Sequence, residues 1–176
     1  VENKSYIEFD GMIWTKLKVS PTGNSAEIES LTLNIPMKPK YAHLLNSYDY
    51  SMRRTGAVPK DGFSSEMRPI WVGFEGGGIQ FFAENTANWH NANKEAQIRV
   101  QPKENEVLFQ IRLIDVPTKI DGPITFAFGF TITPVKPAPE WIMYPRYVGG
   151  RCPEYRDGRD DPRAVYLKDA VKVHAE

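Results

Sequence analysis

An all-β fold, an antiparallel β-sandwich of about seven to nine strands with one short helix, follows from three features of the sequence. Short runs of strand-forming residues recur, several alternating apolar with polar side chains as a half-buried strand does. Turn-forming clusters, Asp10-Gly11, Pro21-Thr-Gly-Asn24 and Gly76-Gly-Gly78, separate them. In the front half only residues 39–48 carry a partly helical stripe, through Tyr41, Ala42, Leu44, Leu45 and Tyr48.

The elements follow in order. Tyr6-Ile-Glu-Phe9 and Met12 to Val19 read as two strands around Asp10-Gly11, a strong hairpin signal. A third run, Ala26 to Met37, places Ile28, Leu31, Leu33 and Ile35 among polar residues; the step from Ile28 to Leu31 breaks the alternation and predicts a bulge. The short helix comes next and carries His43. Residues 51–68, polar and broken by Pro59 and Asp61-Gly62, are expected as a surface loop. Ile70 to Glu75 and Ile79 to Glu84 flank the three glycines and form a second hairpin, since glycine reverses the chain at little steric cost. Ala96 to Val100, Val107 to Ile114 and Ile124 to Thr133 complete the strands; in the last, Phe126, Phe128 and Phe130 alternate with small residues.

The pattern changes at Pro134-Val-Lys-Pro-Ala-Pro139, whose prolines lack ladder donors and predict an extended strap. Two parts are therefore expected: a sandwich over residues 1–140, and a linker and C-terminal extension over 141–176. Within the extension, Asp161-Pro162 can cap a closing helix from Arg163 to His174, with Ala164, Leu167 and Val171 on one face.

The stretch from Arg68 to His90 is the most informative about function. Its hairpin is expected to gather Trp71, Glu75, Glu84 and Trp89 into a small region, with His90 beside Trp89 on the following loop. Aromatic faces beside acceptors suit a sugar, whose C–H faces stack on rings while its hydroxyls need hydrogen-bond partners. Trp141, after the proline strap, joins the same candidate surface. The tryptophans equally suit a buried core, and the carboxylates a solvated rim paired with Arg68 or Lys94.

Composition narrows the partners. In 176 residues, 22 Lys and Arg balance 22 Asp and Glu, and no block of like charge offers a footprint for nucleic acid or anionic lipid. No apolar run approaches a membrane span. The single cysteine, Cys152, has no internal partner, and His43, His90 and His174 lack metal-site spacing, so no cofactor or metal is expected. A start on Val1 without a signal-like leader leads to the expectation of an excised segment.

Several segments together resemble one family. Gly11-Met-Ile-Trp14, Leu31-Thr-Leu-Asn-Ile-Pro-Met37, Trp71-Val-Gly through Gly78-Ile-Gln-Phe-Phe-Ala-Glu-Asn85 to Trp89, and Thr125-Phe-Ala-Phe-Gly-Phe-Thr-Ile-Thr-Pro-Val-Lys-Pro137 occur in the order found in the N-terminal domain of glycoside hydrolase family 123 and its uncharacterised relatives. The resemblance covers approximately residues 5 to 140. It implies a sandwich that precedes a catalytic (β/α)-barrel, which removes N-acetylgalactosamine with the substrate's own acetamide as nucleophile. An adjacent aspartate–glutamate pair in the barrel orients the acetamide and protonates the leaving oxygen. No segment here matches that pair. Asp160-Asp161 is acidic and adjacent but sits in a charged linker, and Asp157, Asp160 and Asp161 lack calcium-loop spacing.

The expectation is therefore a non-catalytic accessory sandwich of an N-acetylgalactosaminidase-like, glycan-degrading enzyme. It would pack on a barrel absent from this chain and contribute an edge of the substrate cleft. A glycan or glycoconjugate is the expected partner, and a secreted or periplasmic location follows from the resemblance alone. A free-standing carbohydrate-binding module and a structural or protein-binding sandwich are the alternatives.

Overall fold

The computed structural model describes residues 1–8, 10–47 and 54–135. The chain divides into two compact units, Val1–Lys136 and Pro137–Glu176, and every described residue lies in the first. The greater part of the proline strap, the closing helix and Trp141 fall outside the described residues.

Thirteen strands build the first unit: β1 (Glu2–Ile7), β2 (Ile13–Val19), β3 (Ala26–Ile28), β4 (Leu31–Met37), β5 (Leu44–Ser47), β6 (Arg54–Ala57), β7 (Phe63–Ser65), β8 (Ile70–Phe74), β9 (Gly77–Ala83), β10 (Ile98–Pro102), β11 (Val107–Ile114), β12 (Thr118–Ile120) and β13 (Ile124–Thr133). Seven form one sheet in the order β1-β2-β13-β9-β8-β5-β6, four form a second in the order β4-β11-β10-β7, and β12 pairs with β3. All the strand pairs are antiparallel, so the all-β expectation holds.

The two larger sheets face each other across an apolar core. Alternation decides which side chains enter it, because successive residues of a strand point to opposite faces. On β11, Val107, Phe109, Ile111 and Leu113 are buried while Leu108, Gln110 and Arg112 are half-buried. The seven-stranded sheet supplies Leu45, Ile70, Val72, Phe81, Phe126 and Phe128 to the same cluster. Phe81 is fully buried, and its ring centroid lies 5.9 Å from that of Phe128 and 5.5 Å from that of Phe130. Such tilted aromatic contacts contribute about 0.5–1.5 kcal/mol each beyond the area they bury.

Three local expectations are corrected. The helical stripe at 39–48 resolves into a single 3-10 turn, Pro39–Tyr41, followed by β5; Leu45 and Ser47 alternate into the core between β6 and β8. His43 therefore lies between the turn and a strand. The polar stretch 51–68 contains β6 and β7, each of which extends a sheet edge. The break at Ile28 and Leu31 is where the chain leaves the β3–β12 pair and enters the four-stranded sheet. The register shift opposite β4 lies on β11, between Arg112 and Ile114, where Leu113 and Ile114 are both buried.

Candidate functional site

The outward face of the seven-stranded sheet carries the candidate site. Register places Thr55, Asn46, Trp71, Gln80 and Thr131 in one row across β6, β5, β8, β9 and β13. The core-facing neighbours Ile70, Val72 and Phe81 are fully buried, whereas Trp71 and Gln80 are half-buried and Asn46 and Thr55 exposed.

Trp71 lies flat on this face because two glycines leave room for it. A Cβ at Gly73 would come within 2.5 Å of Trp71 Cζ2, and one at Gly78 within 2.6 Å of Cε2 and 2.7 Å of Cζ2, closer than real Cβ atoms approach. Gly73 and Gly78 are cross-strand partners, so together they form a bare patch under the indole. The ring is anchored at its edge: Trp71 Nε1–H donates to Thr133 Oγ1 at 2.9 Å, and Thr133 Oγ1–H donates to the Gly78 carbonyl at 3.3 Å. An open pocket of about 400 Å³ lies beside it, lined by Leu44, Leu45, Asn46, Thr55, Gly56, Trp71 and Gln80. Its polar groups are two amides and a hydroxyl, donors and acceptors without charge. Thr55 Oγ1–H already donates to Asn46 Oδ1 at 3.2 Å, which sets the Asn46 amide orientation.

The predicted site residues are separated by the fold. Glu75 sits in the turn between β8 and β9, where its carboxylate meets His43 Nε2 at 3.1 and 3.2 Å. Its own backbone N–H, and then the His43 hydrogen bond, hold its pKa below the ordinary glutamate value. Glu84 follows β9 at the opposite end of that strand, its backbone N–H donating to the Ala127 carbonyl at 3.1 Å. The two carboxylates thus stand a whole strand apart, roughly 20 Å or more at the rise of an extended chain, well beyond the spacing of an acid–base pair.

Trp89 packs half-buried against the core, and the loop that carries it is stitched to β11. His90 N–H donates to the Leu113 carbonyl and Asp115 N–H to the His90 carbonyl, both at 2.9 Å. Asn91 Nδ2–H donates to the Arg112 carbonyl at 2.8 Å, and Ala92 N–H to Asp115 Oδ1 at 2.8 Å. The His90 side chain is exposed. Of the six predicted residues, then, Trp71 alone borders the pocket, and Trp141 lies outside the described residues.

Comparison of the chain with protein-family models, with curated proteins and with solved structures finds no match in any of the three. The site therefore rests on its own geometry. Sequence reasoning missed Asn46, Thr55 and Gln80, since two of them lie on strands it assigned to a helix and a loop. Gln80 was hidden by the turn: a reversal centred on the three glycines would set Trp71 opposite Ala83, whereas the turn falls at Glu75-Gly76 and pairs Phe74 with Gly77 and Trp71 with Gln80.

Among the described residues, no three histidine, cysteine or acidic side chains gather as a metal site would require, and no helix is long and apolar enough to cross a membrane.

Proposed function

We propose that this chain is a non-catalytic, glycan-binding β-sandwich, accessory to a glycan-degrading enzyme, and that Trp71 is the platform on which a sugar ring stacks. The observation that carries it is the glycine-bedded indole beside a pocket lined by uncharged amides and a hydroxyl. A half-buried tryptophan held by a hydrogen bond at its edge offers a pre-oriented apolar face, and little entropy is lost when a ligand covers it. Asn46, Thr55 and Gln80 supply the donors and acceptors that sugar hydroxyls need at the rim of such a ring.

The separation of Glu75 from Glu84 supports a binding role over hydrolysis by this pair. The accessory role draws on the resemblance to the sandwich domain that precedes a catalytic barrel in glycoside hydrolase family 123. On that reading the barrel belongs to the parent protein, which works outside the cytoplasm on N-acetylgalactosamine-containing glycans.

A glycan array probed with the 176-residue chain tests the binding role. Neutral glycans are expected to bind, and Trp71→Ala to weaken them by about tenfold or more, the magnitude of a lost aromatic contact. An array on which no glycan is retained, or on which Trp71→Ala binds as well as the parent, would overturn the proposal.

A further inference from the structure

The same outward face bears a second aromatic platform. Phe82 follows Gln80 by two residues on β9 and shares its face; register sets Phe82 opposite Gly129, Gly129 opposite Trp14, and Trp14 opposite Tyr6. Gly129 does for Phe82 what Gly73 and Gly78 do for Trp71: a Cβ there would fall 2.5 Å from Phe82 Cζ and 2.8 Å from Cε2. The Phe82 and Trp14 ring centroids lie 6.0 Å apart with planes inclined by 35°, and both residues are half-buried. Tyr6, at the end of the row, is exposed.

Two neighbouring rows of one sheet face therefore each present aromatic rings laid over glycine. Trp71 and Trp14 are separated by three strand spacings and two residues, roughly 16 Å, which a single pyranose ring cannot span. Among the described strand residues the rows hold no charged side chain: one carries Thr55, Asn46, Trp71, Gln80 and Thr131, the other Phe82, Gly129, Trp14 and Tyr6. The next row on that face begins with Lys4 and Lys16, paired across β1 and β2, so the neutral surface ends there.

We propose that this face binds the interior of a neutral oligosaccharide chain running from Trp71 across Phe82 to Trp14, with separate sugar units on the two platforms. The proposal rests on the glycan-binding role and deepens it: the ligand is an uncharged, extended glycan bound along its length. Among the described residues an anionic glycan would meet cations only at the Trp14 end, where Lys4 and Lys16 flank the row, and none at Trp71; a lone monosaccharide would use the Trp71 pocket only.

The experiment titrates the full chain with neutral oligosaccharides of glucose, galactose and N-acetylhexosamine, each from monosaccharide to hexasaccharide, and with polygalacturonate as the anionic comparison. Affinity is followed by calorimetry, and the indole N–H signals of Trp71 and Trp14 by nuclear magnetic resonance. In at least one neutral series affinity is expected to rise about tenfold or more with chain length. The Trp71 signal should move with ligands of every length and the Trp14 signal only with the longer ones; Phe82→Ala should abolish the length dependence and leave the monosaccharide affinity unchanged. The indole signals are read on the unaltered protein, so the outcome does not depend on how that variant folds. Binding that moves Trp71 but never Trp14, or that is independent of length, overturns the extended site and leaves the glycan-binding role standing. Stronger binding of polygalacturonate overturns neutrality. Absence of binding in every series overturns both.

Discussion

Trp71 stands at one step of an alternation that sends Ile70 and Val72 into the core, so its side chain must lie on the outer face. Its hydrogen bond to Thr133 and its glycine bed keep it flat there. Replacing Thr133 with Val removes the acceptor and keeps the shape; the expected cost is about 1 kcal/mol, since the Trp71 N–H is left without its partner, and glycan affinity should fall as the ring loosens. Chemical denaturation and calorimetry measure the two effects. At Glu75 the folded-state pKa is lowered, through its own backbone N–H and then His43. A lowered carboxylate pKa stabilises the fold above the unfolded-state value, and the contribution is lost as pH falls through the folded value. A carboxyl titration by nuclear magnetic resonance should thus find Glu75 below an ordinary glutamate, and His43→Gln should reduce the depression without abolishing it.

At the scale of the element, the loop between β9 and β10 is held by polar contacts as well as by the packing of Trp89 on the core. Gln97 is the hub: Met67 N–H donates to its Oε1, and its Nε2–H donates to Asn91 Oδ1, both at 2.9 Å. It is buried, so Gln97→Leu would strand the Met67 N–H and cost about 1–3 kcal/mol, measurable as a lowered denaturation midpoint at unchanged slope. Hairpins were legible because Asp10-Gly11 and the run of glycines punctuate alternating segments; Gly11 adopts a φ of 91°, which favours glycine. The helix at 39–48 was misread because Tyr41, Leu44, Leu45 and Tyr48 satisfy helical spacing, whereas what decides the strand is pairing with β8, a contact far away in sequence. Likewise Arg54 to Ala57 has no strand pattern of its own and is a strand because β5 offers it an edge. Trp71 was legible as an aromatic next to a turn; its neighbours Asn46 and Thr55 were not, because the same missed pairing brings them to it.

At the largest scale described, the unit Val1–Lys136 is a sandwich whose inner faces carry stability and whose outer face carries the candidate site. Phe81 illustrates the division: fully buried, it touches Phe128 and Phe130, while its neighbours Gln80 and Phe82 face outward. Phe81→Ala should cost about 3–5 kcal/mol, a large share of a domain's total stability, and thermal unfolding would show it. Trp89→Ala should likewise lower stability, as a half-buried core contact, yet spare glycan affinity in the fraction that folds. The most direct test is a calorimetric titration of the strongest neutral array ligand into three proteins: the unaltered chain, Trp71→Ala, and Gln110→Ala, whose side chain bonds Asn34 on the four-stranded sheet. Loss of about tenfold or more in affinity for Trp71→Ala, with Gln110→Ala unchanged, is the predicted result; equal affinity in all three, or a loss confined to Gln110→Ala, would contradict the placement of the site on the outer face of the seven-stranded sheet.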